Sequence, residues 1–230
     1  MATILCIESS ADYCSVCIAD GETIIASAKS EQTYAHSKYL AVLIKDCIKQ
    51  SGMSIQLMDA VALSAGPGSY TSLRVGASLA KGICYSIAKP LITIPSLHII
   101  AYPFLSALES TQLLIPTIDA RRDEAYITVL DSDMKQIEAL QAHIFIASSF
   151  NHLTDNGHKL IICGNAADKA GRLIQDHSGV KFIQSEPTAK DMVSLSQEYF
   201  ASESFADVAY FQPEYLKSPN ITTPKKSLIP

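Results

Sequence analysis

Apolar positions along the chain alternate with two different periods, and each change of period marks an element. Residues 3–7 and 14–19 are short apolar runs separated by a turn, and Asp20-Gly21 turns again into Thr23–Ser27. This pattern predicts an antiparallel three-stranded meander. Leu40, Leu43, Ile44, Cys47 and Ile48 then recur at helical spacing, and Gly52 supplies the stop. An apolar run at 60–65 predicts a strand, 70–88 a long helix, Leu91–Ile94 another strand, and a further helix begins near Ser96. The order β-β-β-α-β-α-β-α belongs to the α/β class with mixed sheets. A weaker second copy follows. Leu113–Asp119 echoes the first strand and its acidic end, Tyr126–Leu130 the second strand, and Leu160–Asn165 a strand and its turn. Two related halves are therefore expected to meet near residues 104–112, just after Pro103.

The helix at 70–88 is apolar on two sides. Leu73, Gly76, Ala77, Ala80, Cys84 and Ile87 form one stripe, and Val75, Leu79 and Ile83 another. Such a helix must bury both stripes. One can meet its own sheet; the other needs either the neighbouring helix at 37–50 or a partner molecule.

The turn leading into this helix, Gly66-Pro67-Gly68-Ser69-Tyr70-Thr71-Ser72-Leu73-Arg74-Val75-Gly76, carries the densest chemical signal. Gly66 and Gly68 give the backbone freedom, Ser69 or Thr71 can cap the helix, and exposed N–H groups at a helix start suit an anion. Two readings stand: a phosphate-facing turn or a plain strand-to-helix connection. The Walker A lysine and the G-x-G-x-x-G spacing are both missing. Glu8 and Asp119, each at the end of a first strand, either hold Mg²⁺ beside such a turn or cap and solvate a loop. The second half lacks a glycine-rich turn of this kind; its only candidate, Cys163-Gly164-Asn165-Ala166, carries a single Gly.

Composition narrows the choice. The 230 residues are 48% hydrophobic and 18% charged, enough for a sizeable core, and the apolar runs are too short to span a bilayer. Met1-Ala2-Thr3 lacks the pattern of a signal peptide, so a cytoplasmic protein is expected. The formal net charge of −5 argues against strong nucleic-acid binding by this chain alone. The six cysteines lie in apolar segments and read as buried hydrophobes. Cys14 and Cys17 have C-x-x-C spacing, but in a strand an offset of three points them to opposite faces. No two of His36, His98, His143, His152, His158 and His177 stand three or four apart, so no metal-binding pair is expected on a helix. Hydrolase motifs such as Gly-x-Ser-x-Gly and His-Glu-x-x-His are missing.

Four stretches resemble the TsaB (YeaZ) family of tRNA threonylcarbamoyladenosine biosynthesis proteins in the same order. They are Ile4–Ser10, the Gly66–Gly76 run, Asp119-Ala120-Arg121-Arg122-Asp123-Glu124-Ala125-Tyr126, and Pro213-Glu214-Tyr215-Leu216-Lys217. Ser72 departs from the family pattern, which has Gly there. The resemblance implies two ribonuclease-H-like domains of the actin and sugar-kinase superfamily, the second degenerate. Their expected extents are 1–105 and 106–217, with a C-terminal helix that can return to the first domain and a frayed tail at 218–230. It also implies a non-catalytic subunit that pairs with a TsaD-like transferase, works with a TsaE-like ATPase, and meets tRNA through the complex. The TsaD paralogue carries a His-x-x-x-His metal pair where this chain has His98 and Tyr102. No cofactor is then required of this chain; ATP or ADP and a divalent metal are expected in partner subunits. Val75, Leu79, Ile83, Leu40 and Ile44 are the expected partner interface, which could also serve a homodimer. Glu8, Gly66, Gly68, Ser69, Thr71, Arg74 and Asp119 are the candidate nucleotide or loop site. The alternative function is an ATPase or phosphotransferase using that site. Arg121–Glu124 is either a further functional surface or a solvated turn.

Overall fold

In the computed structural model, which describes residues 1–175 and 178–217, the two halves build two five-stranded sheets of the same topology. The first half runs β1 (Thr3–Glu8), β2 (Ser15–Asp20), β3 (Thr23–Lys29), α1 (His36–Ser51), β4 (Ala60–Ser64), α2 (Tyr70–Ile87), β5 (Leu91–Ile94) and α3 (Ser96–Ala101). The second runs β6 (Gln112–Asp119), β7 (Glu124–Leu130), β8 (Gln136–Ile144), α4 (Asn151–Asp155), β9 (Lys159–Gly164), α5 (Ala167–Leu173), β10 (Val180–Gln184) and α6 (Val193–Ala201). The sheet orders are β3-β2-β1-β4-β5 and β8-β7-β6-β9-β10. In each, the first three strands of the half pair antiparallel and the last two join in parallel. This is the duplicated ribonuclease-H-like arrangement expected from the element order. Among the described residues no helix is long and apolar enough to cross a membrane. The tail from Ser218, with Lys225 and Lys226, lies outside the described residues, as does His177.

Burial on both faces explains why β1 and β4 read as continuous apolar runs. Leu5 and Ile7 point into a core shared with Leu40, Ile44 and Cys47 of α1 and Ala77, Ala80 and Cys84 of α2. Ile4 and Cys6 point the other way, to Ala189, Met192, Val193 and Leu195. Cys14 and Cys17 fall in these two different cores, as the strand period requires, and all six cysteines are buried free thiols. Burial pushes the Cys6 and Cys17 thiols up to about 12, which makes them poor nucleophiles.

The halves exchange their last helices. Leu97, Ile100 and Ala101 of α3 pack on the second sheet against Leu114, Ile118, Leu130 and Cys163, while Ile99 faces the core of the first. Val193 and Leu195 of α6, from the second half, cover the inner face of the first sheet. The outer face of the second sheet is closed by Phe145, Phe150 and Leu153 with Ala167 and Ala170 of the short α5.

Candidate functional site

The β4–α2 turn is shaped by contacts within the chain. Gly66 has φ +104°, and a Cβ there would lie 2.6 Å from the Glu214 carbonyl oxygen. A Cβ at Gly68 would lie 2.3 Å from the Ser10 carbonyl oxygen. The Ser69 N–H donates to that Ser10 oxygen (2.8 Å), the Glu214 N–H to Ala65 O (2.8 Å), and the Gly66 N–H to Ser96 Oγ (3.1 Å). The glycines thus admit the β1–β2 turn and the C-terminal segment 213–217 to close range. Ser69 occupies the N-cap position of α2, yet no side-chain cap forms. Its Oγ instead accepts from Ser72 Oγ (2.9 Å), which lies 3.2 Å from Nδ1 of the buried His36. Thr71 is exposed on the rim. Tyr70 packs on Tyr215 with ring centroids 4.6 Å apart, and the Arg74 guanidinium sits 5.5 Å from the Tyr70 centroid.

The two strand-end acids have different surroundings. Glu8 is wholly buried; its Oε1 accepts from the Ser10 N–H (2.6 Å) and hydroxyl (2.5 Å), and burial pushes its pKa up. Asp119 is exposed and accepts the Arg121 N–H (2.6 Å), while Lys169 on α5 holds the same carboxylate oxygen at 2.8 Å. Lys169 also donates to the Glu124 carbonyl (3.1 Å). The Lys169 ammonium and the Arg121 N–H thus both engage Oδ1 of Asp119. Among the described residues no group of three or more His, Cys, Asp or Glu could hold a metal ion.

A cleft of about 1010 Å³ opens between the sheets. One wall is the β1–β2 turn with Asp12, Tyr34 and the Gly68–Thr71 turn; the other is the β6–β7 hairpin with Arg121, Arg122 and Tyr126. The 213–217 segment bridges them, through Tyr215 on Tyr70 and the Lys217–Glu124 ion pair. Glu186 lines the floor, and its carboxyl is pushed up to about 7 by burial and by the Asp12 carboxylate, against the opposing pull of Lys29. Tyr34, Lys169 and Glu186 were not among the expected site residues. They belong to no motif, and only the fold brings them here.

The five positions expected at a partner interface separate into two sets. Leu40 and Ile44 lie in the core, facing the sheet and not a partner, because the apolar stripe of α1 is its inward stripe. Val75, Leu79 and Ile83 pack against the edge of that core and stay partly exposed, together with Tyr39, Leu43 and Ile48 of α1. The neighbouring helix thus covers the second stripe of α2 incompletely.

A family model described as tRNA N6-adenosine threonylcarbamoyltransferase matches residues 23–221. The chain is 32% identical over 127 residues to tRNA threonylcarbamoyladenosine biosynthesis protein TsaB of Haemophilus influenzae, covering 55% of this chain and 52% of that one. To the Bacillus subtilis protein of the same name it is 25% identical over 222 residues, 94% of each chain. The matches thus span about half the length of the first relative and nearly all of the second. The solved structure of YeaZ from Pseudomonas aeruginosa shares the fold with a TM-score of 0.79 at 20% identity, over 94% of this chain and 100% of that one.

Proposed function

Because the chain belongs to the TsaB/YeaZ family of tRNA threonylcarbamoyladenosine biosynthesis proteins, we propose that it is a non-catalytic subunit in that synthesis. It pairs with a TsaD-like threonylcarbamoyltransferase and shapes that partner's active state. The transferase supplies the metal and the chemistry, a TsaE-like ATPase supplies nucleotide hydrolysis, and tRNA is met by the assembly. The observation that carries this reading is the half-covered apolar row Leu43, Val75, Leu79 and Ile83 on the outer helix pair.

Size-exclusion chromatography with light scattering tests the pairing. The chain mixed with the transferase of the same genome is expected to elute as a one-to-one complex, and Leu79→Glu to abolish it while the circular dichroism spectrum stays unchanged. A Leu79→Glu chain that co-elutes at native affinity removes α2 from the interface. Calorimetry with Mg-ATP tests the phosphotransferase alternative. Micromolar binding abolished by Asp119→Asn would replace the subunit reading.

A further inference from the structure

The cleft between the sheets has two chemically different walls. On one, the β6–β7 hairpin turns at Arg121 and Arg122, with φ of +73° and +53°. Two successive non-glycine residues in the left-handed region are unusual, since such turns favour Asn and Gly. Both side chains are exposed, and among the described residues neither forms an ion pair, whereas Lys169 and Lys217 beside them do. Facing this wall are carboxyls of Asp12 and Glu186, with Tyr34, 71% exposed and also left-handed at φ +55°. Tyr126, Tyr70 and Tyr215 complete the aromatic lining.

A simple polyanion would meet the Asp12 carboxylate on the wall facing the arginines, and an apolar ligand would leave two guanidinium groups unused. The combination suits a group that is anionic at one end, aromatic in the middle and rich in N–H donors at the other. A nucleotide unit has that character: phosphate for arginine, base for tyrosine, exocyclic amine for carboxyl. We infer that this cleft receives an unstacked nucleotide of single-stranded RNA, with Arg121 and Arg122 on the phosphate side and Tyr34 on the base. The inference rests on the reading above that the chain works in tRNA modification. It explains how a chain of net charge −5 contributes to RNA binding within an assembly: the contact is local and needs no basic face.

The test uses the complex with the transferase and an end-labelled anticodon stem-loop RNA, read by fluorescence anisotropy across a salt series. Two double variants are compared with wild type, Arg121→Ala/Arg122→Ala and Arg121→Asn/Arg122→Gly, with Tyr34→Ala as a third. The Asn/Gly pair relaxes the turn, so it should raise Tm while still losing RNA. Both doubles are expected to bind RNA about tenfold or more weakly, with the log–log salt slope reduced by about 1.5, near the value for two lost phosphates. Tyr34→Ala should weaken binding with the slope unchanged. Unaltered RNA affinity in both doubles, with the complex intact, overturns the inference. So does a free mononucleotide that binds the cleft with the same arginine dependence and displaces no RNA. Co-elution is scored separately. If the wild-type chain forms no complex, the subunit reading fails, and arginine-dependent crosslinking of the same RNA to the isolated chain decides the cleft.

Discussion

The two halves share one strand topology and differ in their outer helices. The first half covers its sheet with helices of 16 and 18 residues, the second with helices of 5 and 7. The second half shows how little helix is needed to close such a sheet, since Phe145 and Phe150 fill what α4 and α5 leave open. The extra turns of α1 and α2 therefore exceed what their own sheet needs. They carry the half-exposed row of Leu43, Val75, Leu79 and Ile83, the surface that the proposed pairing would use. The strand-end acids diverge too, one buried under its own serine and the other held by a lysine. Each acid uses one oxygen to hold local structure, Glu8 through Ser10 and Asp119 through Arg121 and Lys169, while Oε2 of the buried Glu8 has no hydrogen-bond partner among the described residues.

The equivalent glycine turns allow the largest break in this comparison. A Cβ at Gly164 (φ +114°) would lie 2.0 Å from the Thr117 carbonyl oxygen, a backbone atom that cannot step aside. Gly164→Ala is expected to cost about 3 kcal/mol or more in urea unfolding. Gly68→Ala, where the clash is 2.3 Å and φ is ordinary, should cost about 2 kcal/mol. Next come the outer helices. Leu40→Ala empties a fully buried site and should cost about 3 kcal/mol, against about 1 kcal/mol for Leu79→Ala on the surplus face. Equal losses at the two positions would mean that the outward row serves the fold and not a partner.

A smaller effect is expected at Glu186. Its folded-state carboxyl sits near 7, above the ordinary 4.5, so the folded chain holds a proton that the unfolded chain has released. Its contribution is thus lost as pH rises from about 4.5 through about 7. Glu186→Gln should flatten that slope and raise stability at pH 8 by about 1 kcal/mol, allowing for solvent screening of this half-buried group. Thermal melts between pH 5 and 8 check this; an unchanged slope removes Glu186 as its source. The smallest change is at Lys169. Lys169→Met should cost about 0.5 kcal/mol, because its partner Asp119 is well exposed.

The first half was largely legible from sequence. β1 and β4 are apolar on both faces, α1 and α2 are long enough to display the helical period, and Gly52 does close α1 with a left-handed cap. The second half was legible only at its centre. β8 and β10 escape the reading because edge strands such as Gln136–Ile144 carry many polar residues, and α4 and α5 are shorter than two turns. The misplacement of Leu40 and Ile44 has a physical cause. Periodicity identifies an apolar stripe without saying which body covers it. The Gly66–Gly76 run correctly marked a strand–turn–helix junction, while the occupants of the space beside its glycines, Ser10 and Glu214, come from distant segments. Lys169 on Asp119 joins residues 50 apart with no spacing rule between them.

The exchange of helices sets an order for synthesis. Ile4, Cys6, Ile92 and Ile94 emerge early from the ribosome, yet their cover of Ala189, Met192, Val193 and Leu195 is made near the end. The sheet of the first half is complete with β5 at Ile94, yet this face of it gains the cover of residues 189–195 only after the second half has been made. The first half therefore cannot finish its packing before the second is synthesised. A chain that ends before residue 189 would leave Ile4, Cys6, Ile92 and Ile94 without the apolar cover that Ala189, Met192, Val193 and Leu195 supply.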